Sequence, residues 1–145
     1  MRIASVLENQ IFEKRIAVTP DIAKKYITLG LEVFLSKTYG EHLGFKDSEY
    51  KELGVKFCDD DSEAINDADI IVQLGLLSDE NLSLLKRNQN LVGVFNPYLN
   101  NEKIVNLAKK SINVFSLEML PRITRAQSMD ILSSQANLAG YKAVI

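Results

Sequence analysis

Arg122, Gln127, Asp130 and Ser133 combine residue types that hold a ligand by hydrogen bonds. An arginine fork steadies a phosphate or an amide oxygen. An ionised aspartate accepts N–H groups, while a serine hydroxyl or a glutamine amide both donates and accepts. All four lie in one run, Leu120-Pro121-Arg122-Ile123-Thr124-Arg125-Ala126-Gln127-Ser128-Met129-Asp130-Ile131-Leu132-Ser133. Pro121 biases Leu120 out of the helical region. Thr124 and Gln127 have capping-box spacing, which predicts a helix from Arg125 onward. At roughly 100° per residue, Gln127, Asp130, Ser134, Asn137 and Tyr141 share one stripe of that helix, with Ser133 at its edge. Met129, Leu132, Ala136, Ala139 and Ala143 fall opposite. A helix this apolar is expected to be mostly buried, so its polar stripe requires partners, either protein groups or a ligand. A structural reading stands beside this one. Gln127 would close the capping box, Asp130 would favour the helix dipole, and Ser133 would bond back into its own helix. Arg125, Ser128, Ser134 and Asn137 are read as structural.

Other reactive side chains are few. His42 lies in the glycine-flanked run Thr38-Tyr39-Gly40-Glu41-His42-Leu43-Gly44, which reads as an exposed loop. Cys58 closes a short apolar run and reads as an inert core thiol. Asp59, Asp60 and Asp61 are expected to face solvent and cap the next helix. With one His and one Cys in the chain, a zinc site is not expected. The lone cysteine excludes an intrachain disulfide and fits a reducing compartment. A net charge of −2 argues weakly against nucleic acid as a partner. No apolar run approaches the roughly 20 residues that span a bilayer. Met1-Arg2-Ile3-Ala4-Ser5-Val6 reads as a first strand, too soon charged for a signal peptide.

The elements that must carry these residues alternate. Strands are expected at Arg2–Leu7, Glu32–Ser36, Val55–Cys58, Asp69–Leu74, Leu91–Phe95 and Asn113–Leu117. Helices are expected at Pro20–Leu29, Ser48–Leu53, Ser62–Asn66, Asp79–Arg87, Glu102–Lys109 and from Arg125 onward. Thr19-Pro20 reads as N-cap and first-turn proline, Gly30 as a helix stop, and Ser78 and Asn101 as further N-caps. This alternation predicts a three-layer α/β fold, flavodoxin-like or Rossmann-like, with a mostly parallel sheet and helices on both faces. The 145 residues suit one domain with a sizeable core. No G-x-G-x-x-G occurs, so the dinucleotide fingerprint is absent. The helical pattern still runs at Ile145, which predicts that the chain is one piece of a longer polypeptide.

The run from Pro121 to Val144 resembles the loop and helix of the NAD-binding alpha subunit of proton-translocating NAD(P) transhydrogenase. Glu13-Lys14-Arg15-Ile16-Ala17-Val18-Thr19-Pro20 resembles the opening shared by that subunit and alanine dehydrogenase. So do Gly44-Phe45, Asp47, Tyr50 and Gly54. The resemblance implies that positions 1–145 are an N-terminal domain whose last helix continues into a separate Rossmann domain. It implies hydride transfer between NADH and NADP+. Arg122, Asp130 and Ser133 would contact the nicotinamide end of NAD(H), and Gln127 would sit where the NADP(H)-carrying component docks. Of these, Asp130 and Gln127 are the residues expected to matter most to the transfer itself. It implies a homodimer, cytoplasmic and peripheral to the inner membrane through partner subunits that translocate protons. The isolated chain is expected to be inactive.

Two other readings remain open. One is a non-catalytic docking or dimerisation module. The other is an alanine dehydrogenase, in which the arginine matching Arg15 binds a keto-acid carboxylate beside a lysine and a histidine. Here those two slots read Gln73 and Phe95-Asn96-Pro97-Tyr98. Neither Gln73 nor Asn96 titrates, so the acid/base work of that reaction has no carrier. Arg15 is then expected to be structural or vestigial.

Overall fold

A computed structural model describes all of residues 1–145. Six strands form one sheet: β1 (Arg2–Ser5), β2 (Glu32–Ser36), β3 (Lys56–Cys58), β4 (Ile70–Val72), β5 (Asn90–Gly93) and β6 (Asn113–Ser116). Their order is β3-β2-β1-β4-β5-β6, and every neighbouring pair is parallel. The expected mostly parallel sheet is therefore wholly parallel. Five helices make the crossovers: α1 (Pro20–Thr28), α2 (Asp47–Glu52), α3 (Asp61–Asn66), α4 (Asp79–Leu84) and α5 (Asn101–Lys109). A sixth, α6 (Ile131–Val144), follows β6. No helix is long and apolar enough to cross a membrane.

Alternation along the strands splits the core between the two faces of the sheet. Ile3, Val33 and Leu35 pack under α1 and α2 with Ala23, Tyr39 and Tyr50. Ala4, Ile71 and Leu91 pack on the opposite face with Ile65, Leu82 and Leu107 of α3, α4 and α5. Parallel strands buried on both faces explain why their sequences read as continuous Val/Ile/Leu runs. On the α1 face, β6 lies beyond helical cover, and Phe115 there is 54% exposed.

Helix starts follow local chemistry. Pro20 opens α1, but the Thr19 side chain makes no capping bond. The Asp60 carboxylate accepts from the Ser62 amide at 3.2 Å, and the Ser78 hydroxyl accepts from the Asn81 amide at 3.2 Å. The expected Asn101 cap is displaced by one residue. Asn100 holds the cap position, and its side-chain amide donates instead to the Phe95 carbonyl at 2.8 Å.

The loop between β1 and α1 is fastened to the sheet by two buried tyrosines. Ala17 and Val18 both donate their amides to the Tyr39 hydroxyl, at 3.1 and 3.2 Å. With both lone pairs engaged, Tyr39 sends its own proton to Ser5 Oγ, 2.7 Å away. Ser5 then donates onward to the Val72 carbonyl or the Gln73 amide oxygen, at 2.7 and 2.8 Å. Burial pushes the Tyr39 phenol up to about 12. Tyr50 donates to the Val18 carbonyl at 2.9 Å. Gly44 and Gly54 carry φ of 91° and 95°, the left-handed conformation that glycine tolerates. That gives a physical reason for the residue pattern between Gly40 and Gly54.

Candidate functional site

The segment after β6 departs from the expected single helix. Thr124–Met129 forms a 3-10 helix capped by Ile123, with no side-chain cap, so the Thr124–Gln127 capping box does not form. Asp130 then leaves the helical region, at φ −75° and ψ 95°, and α6 starts at Ile131. The stripe of Gln127, Asp130, Ser134, Asn137 and Tyr141 is therefore broken at Asp130. The expectation of burial also fails within this chain. No residue of α6 is buried, and Leu138 and Tyr141 are 62% and 71% exposed. Ala126 alone anchors the preceding turn, at 6% exposure.

The break brings the four candidate residues together. Arg122, Gln127, Asp130 and Ser133 line one pocket of about 230 Å³, with Leu120, Pro121, Ile123 and Ala126. This is below the roughly 300–1,000 Å³ of whole-ligand pockets, so it suits one ring or head group. Asp130 is the N-cap of α6, not a second-turn residue. Its Oδ1 accepts from the Leu132 and Ser133 amides, both at 3.0 Å. Its Oδ2 accepts the Ser133 hydroxyl at 2.7 Å. The Ser133 hydroxyl, its amide and the nearby Arg122 charge hold the Asp130 carboxyl below the usual carboxylate range. Asp130 is thus an acceptor. Because the Ser133 proton is committed to it, Ser133 offers the pocket lone pairs. Arg122 and the Gln127 amide supply donors. The back-bond into the helix expected of Ser133 is made by Ser134, to the Ile131 carbonyl at 3.0 Å.

A larger cleft, about 880 Å³, opens at the C-terminal ends of β1 and β4, where the strand order reverses. Open α/β sheets bind ligands at that switch point. The sequence reading missed its central acid, Glu8. The Glu8 carboxylate is 8% exposed and accepts from the Leu74 and Gly75 amides. Burial raises its pKa, against the lowering effect of those two amides. Gln73 is also buried here, and its amide oxygen accepts from the Val6 amide at 3.0 Å. Its oxygen splices β4 to the chain just after β1, a bond that a lysine at this position would not accept. The cleft's single cation, Lys103, is paired with Asp79. Asn96, at φ 47°, lies outside the cleft lining, and its amide donates to Glu118.

Of the remaining candidates, Asp61 lines the larger cleft, while His42, Cys58, Asp59, Asp60 and Arg15 line neither pocket. His42 is exposed, with Nε2 2.8 Å from the Lys14 carbonyl. Cys58 is buried, and burial raises its thiol pKa. Asp59 pairs with Lys37, while Asp61 accepts from Ser36 Oγ at 2.6 Å and from Asn81 at 3.1 Å. Of the three neighbouring aspartates, then, Asp60 alone caps a helix, and Asp61 points inward. Arg15 is ion-paired with Glu13 at 2.6 Å.

The family model described as Alanine dehydrogenase/PNT, N-terminal domain, matches residues 6–139. The chain belongs to that family. All four pocket residues fall inside the matched span. An NAD(P) transhydrogenase subunit alpha polypeptide of Rickettsia prowazekii is 44% identical over 149 residues, covering 100% of this chain and 39% of the relative. The crystal structure of transhydrogenase from Sinorhizobium meliloti superposes with a TM-score of 0.91 at 34% identity, over 99% of this chain and 43% of that one. An L-alanine dehydrogenase structure superposes with a TM-score of 0.76 over 81% of this chain and 32% of that one. At 19% identity it shares the fold alone. The chain thus spans about two fifths of the length of the curated relative it matches. The resemblance read from the sequence holds at the level of family and of the N-terminal, Rossmann-like α/β domain.

Proposed function

We propose that this domain is part of the NAD(H)-binding alpha subunit of a proton-translocating NAD(P) transhydrogenase, and that its Arg122–Ser133 pocket holds the nicotinamide end of NAD(H). The observation that carries the reading is the convergence of Arg122, Gln127, Asp130 and Ser133 on one ring-sized pocket. A carboxamide has two N–H donors and one oxygen acceptor. Asp130 Oδ2 and the Ser133 lone pairs accept the donors, and the Arg122 guanidinium or the Gln127 amide donates to the oxygen. The donor set therefore fits the group. A bound nicotinamide supplies the hydride chemistry. The chain's own residues fix the ring's angle and distance to its acceptor, which is where the rate is gained. Transfer between two nicotinamides needs no proton at the ring. That agrees with a pocket whose aspartate stays ionised.

In this reading the rest of the NAD(H) surface lies in a Rossmann domain continuing from α6. NADP(H) is carried by a partner component that docks near Gln127. Proton translocation belongs to separate membrane components, which tether a cytoplasmic homodimer to the membrane. The exposed apolar side chains of α6, Leu132, Leu138 and Tyr141, favour a second reading, a docking or dimerisation module without catalysis. Titration calorimetry with NADH separates the two. The present chain should be silent, and the same sequence within a polypeptide as long as its relatives should bind. Failure of the longer protein to bind would leave the docking module as the better account.

A further inference from the structure

Arg15 is tied on three sides. Glu13 takes its Nε at 2.8 Å and its Nη2 at 2.6 Å, a two-pronged pairing that fixes the plane of the guanidinium. The remaining Nη1 donates to the Gln135 side-chain oxygen at 2.7 Å, across 120 residues of sequence. Gln135 lies on α6, two residues beyond Ser133. The loop that carries Arg15 is itself fixed. Ala17 and Val18 donate to buried Tyr39, and the Lys14 carbonyl meets His42 Nε2 at 2.8 Å. By contrast, α6 has no buried residue to set its direction.

We infer that Arg15 is a positioning residue: clamped by Glu13, it latches Gln135 and so fixes the start of α6, and with it Asp130 and Ser133, relative to the sheet. The inference rests on the function proposed above for that pocket. Arginine suits the task because its rigid fork spends two N–H groups on the carboxylate and keeps a third for the amide. A lysine would satisfy only one partner at that geometry. Glu13 is held below the usual carboxylate range by Arg15, so the clamp stays charged at neutral pH.

The test uses the full-length subunit with its NADP(H)-carrying component, in Arg15→Met, Arg15→Lys, Gln135→Leu, Gln135→Glu and the Arg15→Met/Gln135→Leu double variant. Two quantities are read: amide hydrogen exchange over residues 130–136, and kcat and KM for NADH. Arg15→Met and Gln135→Leu should each speed exchange in that segment and lower kcat about tenfold, with KM for NADH within about twofold. The double variant should be no worse than either single one, since both break the same contact. Gln135→Glu keeps the accepting oxygen and should match the native protein, whereas Arg15→Lys should not. Additive losses, a native-like Arg15→Lys, or unchanged exchange would overturn the inference. A native subunit that transfers no hydride would sink the proposed function instead, and the exchange comparison would still decide the latch.

Discussion

Asp130→Asn tests the pocket with little disturbance of the fold. Asparagine is as good an N-cap as aspartate, so α6 should still start at Ile131. The Asn oxygen would take the place of Oδ1, where the Leu132 and Ser133 amides both need an acceptor at 3.0 Å. The Asn nitrogen is then forced into the place of Oδ2. There it meets the Ser133 hydroxyl, 2.7 Å from the native oxygen, and turns that hydroxyl's proton elsewhere. One change thus converts the pocket's charged acceptor into a donor. It also redirects the lone pairs of Ser133. A carboxamide N–H aimed at this point would face another N–H. A hydrogen bond to a charged group is worth roughly one to two factors of ten in rate when it is made in the transition state. We expect kcat for hydride transfer to fall about 10- to 100-fold, with KM for NADH changed less than about threefold. Stopped-flow transfer between NADH and an NADP+ analogue, in the assembled subunit, reads the chemical step directly. A rate within twofold of native would refute the role given to Asp130. So would a fall matched by an equal loss of NADH affinity, because positioning would then not be what the carboxylate does.

Other expectations follow from the same geometry. Tyr39→Phe removes the acceptor of two amides and should cost about 2–4 kcal/mol in denaturant melts, one buried unsatisfied group at a time. A loss under 1 kcal/mol would mean that water replaces the hydroxyl. Gly93→Ala would drive a Cβ into the Gln73 carbonyl oxygen and to 2.6 Å from the Phe95 ring, and should cost about 3 kcal/mol or more. A native-like melt would show that β4 and β5 can part there. Because the Asp130 carboxyl is held below its usual range, its capping is complete above the unfolded value near 3.9 and is lost as pH falls through the lower folded value. Protection of the Leu132 and Ser133 amides, their exchange measured against the intrinsic rate at each pH, should therefore be lost only in strong acid. Loss of protection that begins above pH 5 as the pH is lowered would contradict the depressed carboxyl.

The alternation of short Val/Ile-rich runs with capped helices made the layered fold legible, because a parallel sheet demands both. Asp60 and Ser78 were legible as caps for the same reason, each standing just before an amphipathic turn. The pocket was legible in its residues but not in its shape. Two N-cap signals, Thr124 and Asp130, compete within six residues, and local pattern favoured the capping-box spacing. Asp130 wins because its carboxylate meets two amides and the Ser133 hydroxyl at once. Aspartate followed three residues later by serine was the signal for that outcome. Burial of α6 misled for a different reason: periodicity reports what a helix can bury, not what is present to bury it. Tyr39 and Glu8 stayed hidden because their partners lie 21 to 67 residues away, beyond any local pattern.

The strand order bears on how the chain is made. β1 emerges from the ribosome first, yet it occupies the middle of the sheet, between β2 and β4. Growth can proceed outward on one side through β2 and β3, then on the other through β4, β5 and β6. Each addition extends an existing edge, and none needs to be threaded between strands already paired. The first half can bury its own tyrosine-centred core before β4 is translated. At about 5–20 residues per second, the segment from Arg122 to Ser133 arrives several seconds after β4, onto a sheet already assembled. A nascent chain stalled once β3 has cleared the ribosome should already protect the amides of β1 and β2 from exchange.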